Sequence, residues 1–134
     1  YIDTVGRQQK WSAESLQKNL DTTDAQRLGF RKAVKSGVNL AFGTDAGVYP
    51  HGDNAKQFPY MVRYGLTPMQ AIQTATINSA RLLQQEKNIG SISAGKAADL
   101  TAMVCNPIEK IECTSQVQWV MKDGDLIKGK ANHD

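Results

Sequence analysis

The sequence reads as an α/β chain, and three observations carry that reading. Val38, Leu40 and Phe42 alternate with Asn39 and Ala41 as a short strand that ends in the glycine-flanked turn Gly43-Thr44-Asp45-Ala46-Gly47. Helix-patterned stretches lie before and after it. Nearer the C-terminus, Val117 to Lys122 and Leu126 to Lys128 flank Asp123-Gly124, a dipeptide suited to a hairpin turn.

Taken in order, the stretch from Tyr1 to Lys10 lacks periodicity. Ser12 suits the N-cap of a short helix carrying Ala13, Leu16 and Leu20, and Asp24 suits the start of a second, with Phe30, Ala33 and Val34 on one face and Gly37 ending it. The strand over 38–44 follows, matching the helix-to-strand half of a barrel repeat. Asp53 is placed to cap a helix through Tyr64 in which Pro59 forces a break or restart near Phe58. Thr67-Pro68-Met69-Gln70 combines a capping box with proline at the first helical position. The helix it starts is expected to run to about Gln85, with Met69, Ile72, Ala75, Thr76, Ala80 and Leu83 forming one packed stripe. Ile89 to Gly95 is turn-rich and leads to a strand from Asp99 with Leu100, Ala102 and Val104 on one side.

Composition narrows the options. The 134 residues carry a formal charge of +3 from scattered Lys and Arg without a basic block, so nucleic-acid binding has little support. No apolar run approaches the length of a membrane span. Cys105 and Cys113 flank a loop holding Asn106-Pro107 and could pair under oxidising conditions, but free thiols are the expected state. Neither has the spacing or histidine neighbour of a redox or zinc site.

Asp45 is the residue to explain. A carboxylate at the C-terminal end of a strand sits where α/β barrels keep their chemistry, while a turn-forming or helix-capping Asp fits the spacing equally well. Phosphate binding through Gly43 and Gly47 is disfavoured, because neither phosphate-loop fingerprint is present and Asp45 would repel the anion.

Three blocks decide between these readings: GTDAGVYPHGDNA, then MVRYGLTPMQAIQTATINSARLL, then IGSISAGKAADLTAMVCNP. In this order they resemble the metal-dependent amidohydrolase superfamily, most closely its imidazolonepropionase-related group with the Xaa-dipeptidase-like members. The resemblance runs from about Ser12 to Lys128. It implies a distorted (β/α)8 TIM barrel with a small composite β-sandwich, of which this chain is the C-terminal portion: residues 1–88 the last barrel strand and its helices, residues 89–134 sandwich strands. A whole barrel takes about 250 residues.

The resemblance also implies a function: hydrolysis of amide or peptide C–N bonds, with Asp45 as metal ligand and as the base that takes a proton from a metal-bound water and passes it to the leaving nitrogen. His51, Tyr49 and Gly47 are the expected substrate contacts, while Asp99 is structural. Such enzymes use a divalent metal, zinc by expectation, as one or two ions. Their other ligands are a His-x-His pair on the first strand, a lysine or glutamate on the fourth and histidines on the fifth and sixth. Here only His51 and His133 occur, so no metal is expected for this chain alone. The remaining barrel strands would come from other chains or from self-association, and a small peptide or amide is the expected substrate. The competing reading is an inactive fragment that serves only as an assembly module through its exposed strand. Because the start resembles the middle of a longer protein, the missing leader says nothing about export.

Overall fold

A computed structural model describes residues 6–47 and 49–129. Helix α1 spans Ala13–Lys35, and the Ser12 hydroxyl accepts from the Ser15 amide at 3.1 Å as its N-cap. One helix stands where two were expected. Asp24 does not start a second, because it pairs with Arg27 one turn on at 3.0 Å, while the Thr23 hydroxyl bonds the Asn19 carbonyl inside the helix at 2.6 Å. Gly37, at φ +70°, then turns the chain out of α1.

Residues 38–44 run extended but join no sheet among the described residues, so the expected strand is an extended segment here. A ladder needs a neighbouring strand, and this segment has none among the described residues. Only Leu40 and Phe42 of the alternating set pack inward, and Val38 is 55% exposed.

A 3₁₀ helix over His51–Lys56 leads directly into α2, Gln57–Arg63. Pro59 occupies the first turn of α2, where the missing N–H has no intrahelical acceptor to lose, so the helix restarts at Gln57, next to the expected position. Asp53 caps nothing. Pro50 holds the cap position of the 3₁₀ helix, and Asp53 pairs with Lys56 at 2.7 Å.

Helix α3, Pro68–Thr74, begins with the expected capping box: the Gln70 amide donates to Thr67 Oγ1 at 3.2 Å, and the Thr67 amide to Gln70 Oε1 at 2.9 Å. The expected long helix nevertheless stops there. Thr76, at φ −122° and ψ −101°, separates α3 from α4, Ile77–Leu82. The break rotates the apolar stripe, burying Ala71, Thr74 and Ala80 and leaving Met69 and Leu83 exposed.

The C-terminal part is a three-stranded antiparallel sheet in the order β1 (Leu100–Met103), β2 (Val117–Lys122), β3 (Asp125–Lys128), with Ala102 opposite Trp119 and Met121 opposite Leu126. Asp123 and Gly124 both have positive φ, the requirement of the tight hairpin turn that the sequence predicts.

The approach to this sheet is fastened by its own residues. At Gly90 a Cβ would lie 2.6 Å from the Ala80 Cβ, so only glycine lets this turn close on α4. Lys96 donates to the carbonyls of Glu86 and Ile89 and to Ser91 Oγ. Asp99 accepts from the Asp123 amide at 2.8 Å and from Lys122 Nζ at 3.0 Å, tying β1 to the hairpin turn.

A second 3₁₀ helix, Ile111–Ser115, links sheet and helices. Ile111 enters a cluster with Met61, Leu66 and Ala71, against which Phe30, Val34, Leu40, Phe42 and Phe58 also pack. Beside it, Cys113 is fully buried and bonded to Cys105, with Cα atoms 5.6 Å apart. This disulfide corrects the expectation of free thiols. The two cysteines are not on facing strands; the 3₁₀ helix folds Cys113 back under the end of β1. Among the described residues, no helix is long and apolar enough to cross a membrane.

Two outcomes follow for the protein that carries this segment. Alkylation under denaturing, non-reducing conditions should modify neither cysteine, whereas reduction should lower the melting temperature in keeping with a typical loss of about 2–4 kcal/mol; two alkylated cysteines before reduction would rule the bond out. The Asp99 carboxyl is held below its ordinary 3.8 by the Asp123 amide and then by Lys122, and Lys122 is held above 10.5 by Asp99 and Asp123. Stability from Asp99 is therefore present above pH 3.8 and lost as pH falls through the lowered value, while that from Lys122 is lost only as pH rises beyond its raised one. Acid titration of Asp99→Asn should show a flatter low-pH decline in stability than wild type, and equal slopes would exclude the link.

Candidate active-site loop

The loop around Asp45 is held by its own side chains and by the helices on either side of it. Leu40 and Phe42 anchor the incoming segment to the apolar cluster, and the Phe42 ring stacks on Phe58 of α2 with centroids 4.7 Å apart. From there the carbonyls meet side-chain donors. Gln57 Nε2 donates to the Gly43 carbonyl at 3.2 Å, and the Tyr49 hydroxyl to the Thr44 carbonyl at 3.2 Å. Thr44 Oγ1 itself bonds Asn54 Oδ1 at 3.1 Å.

Asp45 stands at the tip of this loop, exposed, with φ +48°. The left-handed residue of the turn is thus the aspartate and neither flanking glycine. Gly43 and Gly47 lack a positive φ, and a Cβ at either would meet nothing within 4 Å; the chain bends at Gly47 without the left-handed conformation that would require glycine. Aspartate tolerates the left-handed region better than most residues.

The other expected site residues share the loop but face different surroundings. His51 opens the first 3₁₀ helix and is exposed, as is Gly47. Tyr49 is half-buried and, with Thr44, Lys56 and Gln57, lines a cleft of about 280 Å³ whose opposite wall is α1 through Thr23 and Arg27. Asp45, Gly47 and His51 lie outside that lining. At the end of the cleft, the guanidiniums of Arg27 and Arg31 sit 5.8 and 5.1 Å from the centroid of the Tyr64 ring.

Asp45 alone does not make a metal centre. Among the described residues no three His, Cys, Asp or Glu side chains come together as a cation site, and His133 lies outside the described residues. A zinc site takes three or more protein ligands, so a site that included Asp45 would need further ligands beyond any cluster among the described residues.

Sequence reasoning missed Asn54, Gln57 and Asn78. The first two act within the loop but show no motif. Asn78 donates through Nδ2 to the Leu40 carbonyl at 3.1 Å, across 38 residues, and no local pattern announces such a partner.

The Amidohydrolase family matches residues 3–127. Ochratoxinase of Aspergillus niger is 34% identical over 121 residues, 87% of this chain and 25% of that protein. Imidazolonepropionase of Shouchella clausii is 29% identical over 105 residues, 72% of this chain and 23% of that protein. Among solved structures, a Xaa-Pro dipeptidase with methionine bound in its active site superimposes with a TM-score of 0.83 at 44% identity, over 96% of this chain and 32% of that one. The chain therefore spans about a quarter of these curated relatives and a third of this solved structure, whose α/β fold it shares over that span. It belongs to the amidohydrolase family.

Proposed function

We propose that this chain is the C-terminal portion of a metal-dependent hydrolase that cleaves amide or peptide C–N bonds in small, dipeptide-like substrates. Residues 1–88 would then complete a (β/α)8 barrel, and residues 89–134 would add strands to a composite β-sandwich. One observation carries the proposal: an exposed carboxylate, Asp45, stands at the end of an extended segment, in a turn fixed by side-chain hydrogen bonds, in a chain of this family. The likeness to the Xaa-Pro dipeptidase, at 44% identity, supports the choice of substrate class.

In this reading Asp45 accepts the proton released by the attacking water and delivers it to the departing nitrogen, and Tyr49, His51 and the backbone at Gly47 contact the substrate. A divalent cation, zinc as one or two ions, would supply Lewis acidity and lower the pKa of water toward neutrality when bound. Asp45 is its only ligand from the described residues. The other ligands come from outside this segment, on the same polypeptide, on companion chains or on further copies.

The extended segment favours a second reading, an inactive fragment that serves only in assembly. Residues 38–44 join no strand among the described residues, and Asn39 and Ala41 are exposed along their length. An added strand could pair there.

The test uses the full-length protein on dipeptides. Asp45→Asn should lower kcat by roughly 10²–10⁴-fold, the usual worth of a general acid–base group, with the melting temperature nearly unchanged. An unaltered kcat would remove Asp45 from the reaction, and a wild-type protein without hydrolase activity would favour the assembly reading.

A further inference from the structure

We infer that Asn78 is a positioning residue for Asp45, acting through the break between α3 and α4; the inference rests on the role proposed for Asp45. Were the helix continuous, the Thr74 carbonyl would accept the amide four residues on. The break at Ala75-Thr76 redirects it. Thr74 O instead accepts from the Phe42 amide at 2.9 Å and from Ser79 Oγ at 2.6 Å. The helix restarts so that Asn78, half-buried, places Nδ2 3.1 Å from the Leu40 carbonyl.

The two contacts act together. In an extended chain the C=O of residue 40 and the N–H of residue 42 point to the same edge. The interrupted helix thus gives that edge one donor and one acceptor, as a neighbouring strand would, although no strand lies beside the segment among the described residues. Phe42 is three residues before Asp45. Between them, Gln57 and Tyr49 hold the next two carbonyls, so the path from Asn78 to the carboxylate is bonded at residues 40, 42, 43 and 44. Tyr49 belongs to the loop itself, and Gln57 opens the helix that follows it in sequence. Asn78 instead ties the loop to the helical layer behind it.

Asn78→Asp tests this with little change of volume, because a carboxylate has no N–H to donate and presents its own lone pairs to the Leu40 carbonyl. In the full-length enzyme, kcat should fall about 10–100-fold, the scale of a small misplacement of a reacting group, with KM held within about twofold. In the Asp45→Asn background the same change should cost nothing further, since its effect passes through Asp45. Asn78→His, which keeps a ring N–H donor, should retain kcat within about threefold of wild type on the same reasoning. Equal losses with and without the Asp45 carboxylate, or an Asn78→His enzyme as impaired as Asn78→Asp, would overturn the inference. Hydrogen exchange at the Phe42 amide reads the anchor without any substrate: it should quicken in Asn78→Asp, and an unchanged rate would also overturn the inference. A wild-type enzyme without activity would count against the proposed reaction alone, leaving the exchange measurement to decide on Asn78.

Discussion

Everything described in this chain hangs on a small apolar cluster, Met61, Leu66, Ala71 and Ile111, that draws on separate elements. Met61 comes from α2, Leu66 from the turn after it, Ala71 from α3 and Ile111 from the 3₁₀ helix that leads into β2. Phe42 and Phe58 stack at its margin, so the same contacts that make an interior also aim the Asp45 loop. Set against this are Ile92, Leu82, Ile127 and Leu83, between 64% and 88% exposed. Single exposed apolar residues are ordinary, but here large aliphatic side chains outnumber those inside. That balance suits a chain spanning about a third of the solved relative it superimposes on.

The disulfide and the Asp99 contacts bring the sheet to this cluster by different physics. Cys113 is buried beside Ile111, and its covalent partner Cys105 lies just beyond β1, so the bond carries the strand end to the interior. Asp99 works at the opposite end of β1, on the surface, where solvent screens its charge and hydrogen-bond geometry does the ordering. Fastened at both ends, β1 holds its place although none of its four side chains is buried.

What the sequence revealed was local. The Ser12 cap, the Thr67 box, the restart of the helix near Phe58 and the Asp123-Gly124 turn each involve groups a few residues apart, and each stands in the structure close to where it was read. Features that depend on distant partners were not legible. The break at Thr76 answers to Leu40 and Phe42, more than thirty residues earlier, and the helical pattern of 68–85 carries no mark of them. The same limit applies to 38–44, where alternation signals an extended chain but cannot supply a neighbour. It applies also to Cys105 and Cys113, which a 3₁₀ turn brings together. At the candidate site, the motif singled out Asp45 and its loop, while the side chains that hold the loop, Asn54, Gln57 and Asn78, are ordinary amides until their acceptors are known.

The left-handed backbone of Asp45 bears on which residues evolution can try there. The region of φ near +48° is one that aspartate and asparagine visit far more readily than glutamate, because their short side chains can bond locally to the backbone. The turn therefore filters carboxylates by length before any chemistry is asked of them. It also leaves asparagine and glycine as the cheapest departures in conformational terms, and both lack the acid. On backbone energy alone the turn would accept asparagine or glycine at least as readily as the aspartate it carries, so its conformation does not by itself call for a charge.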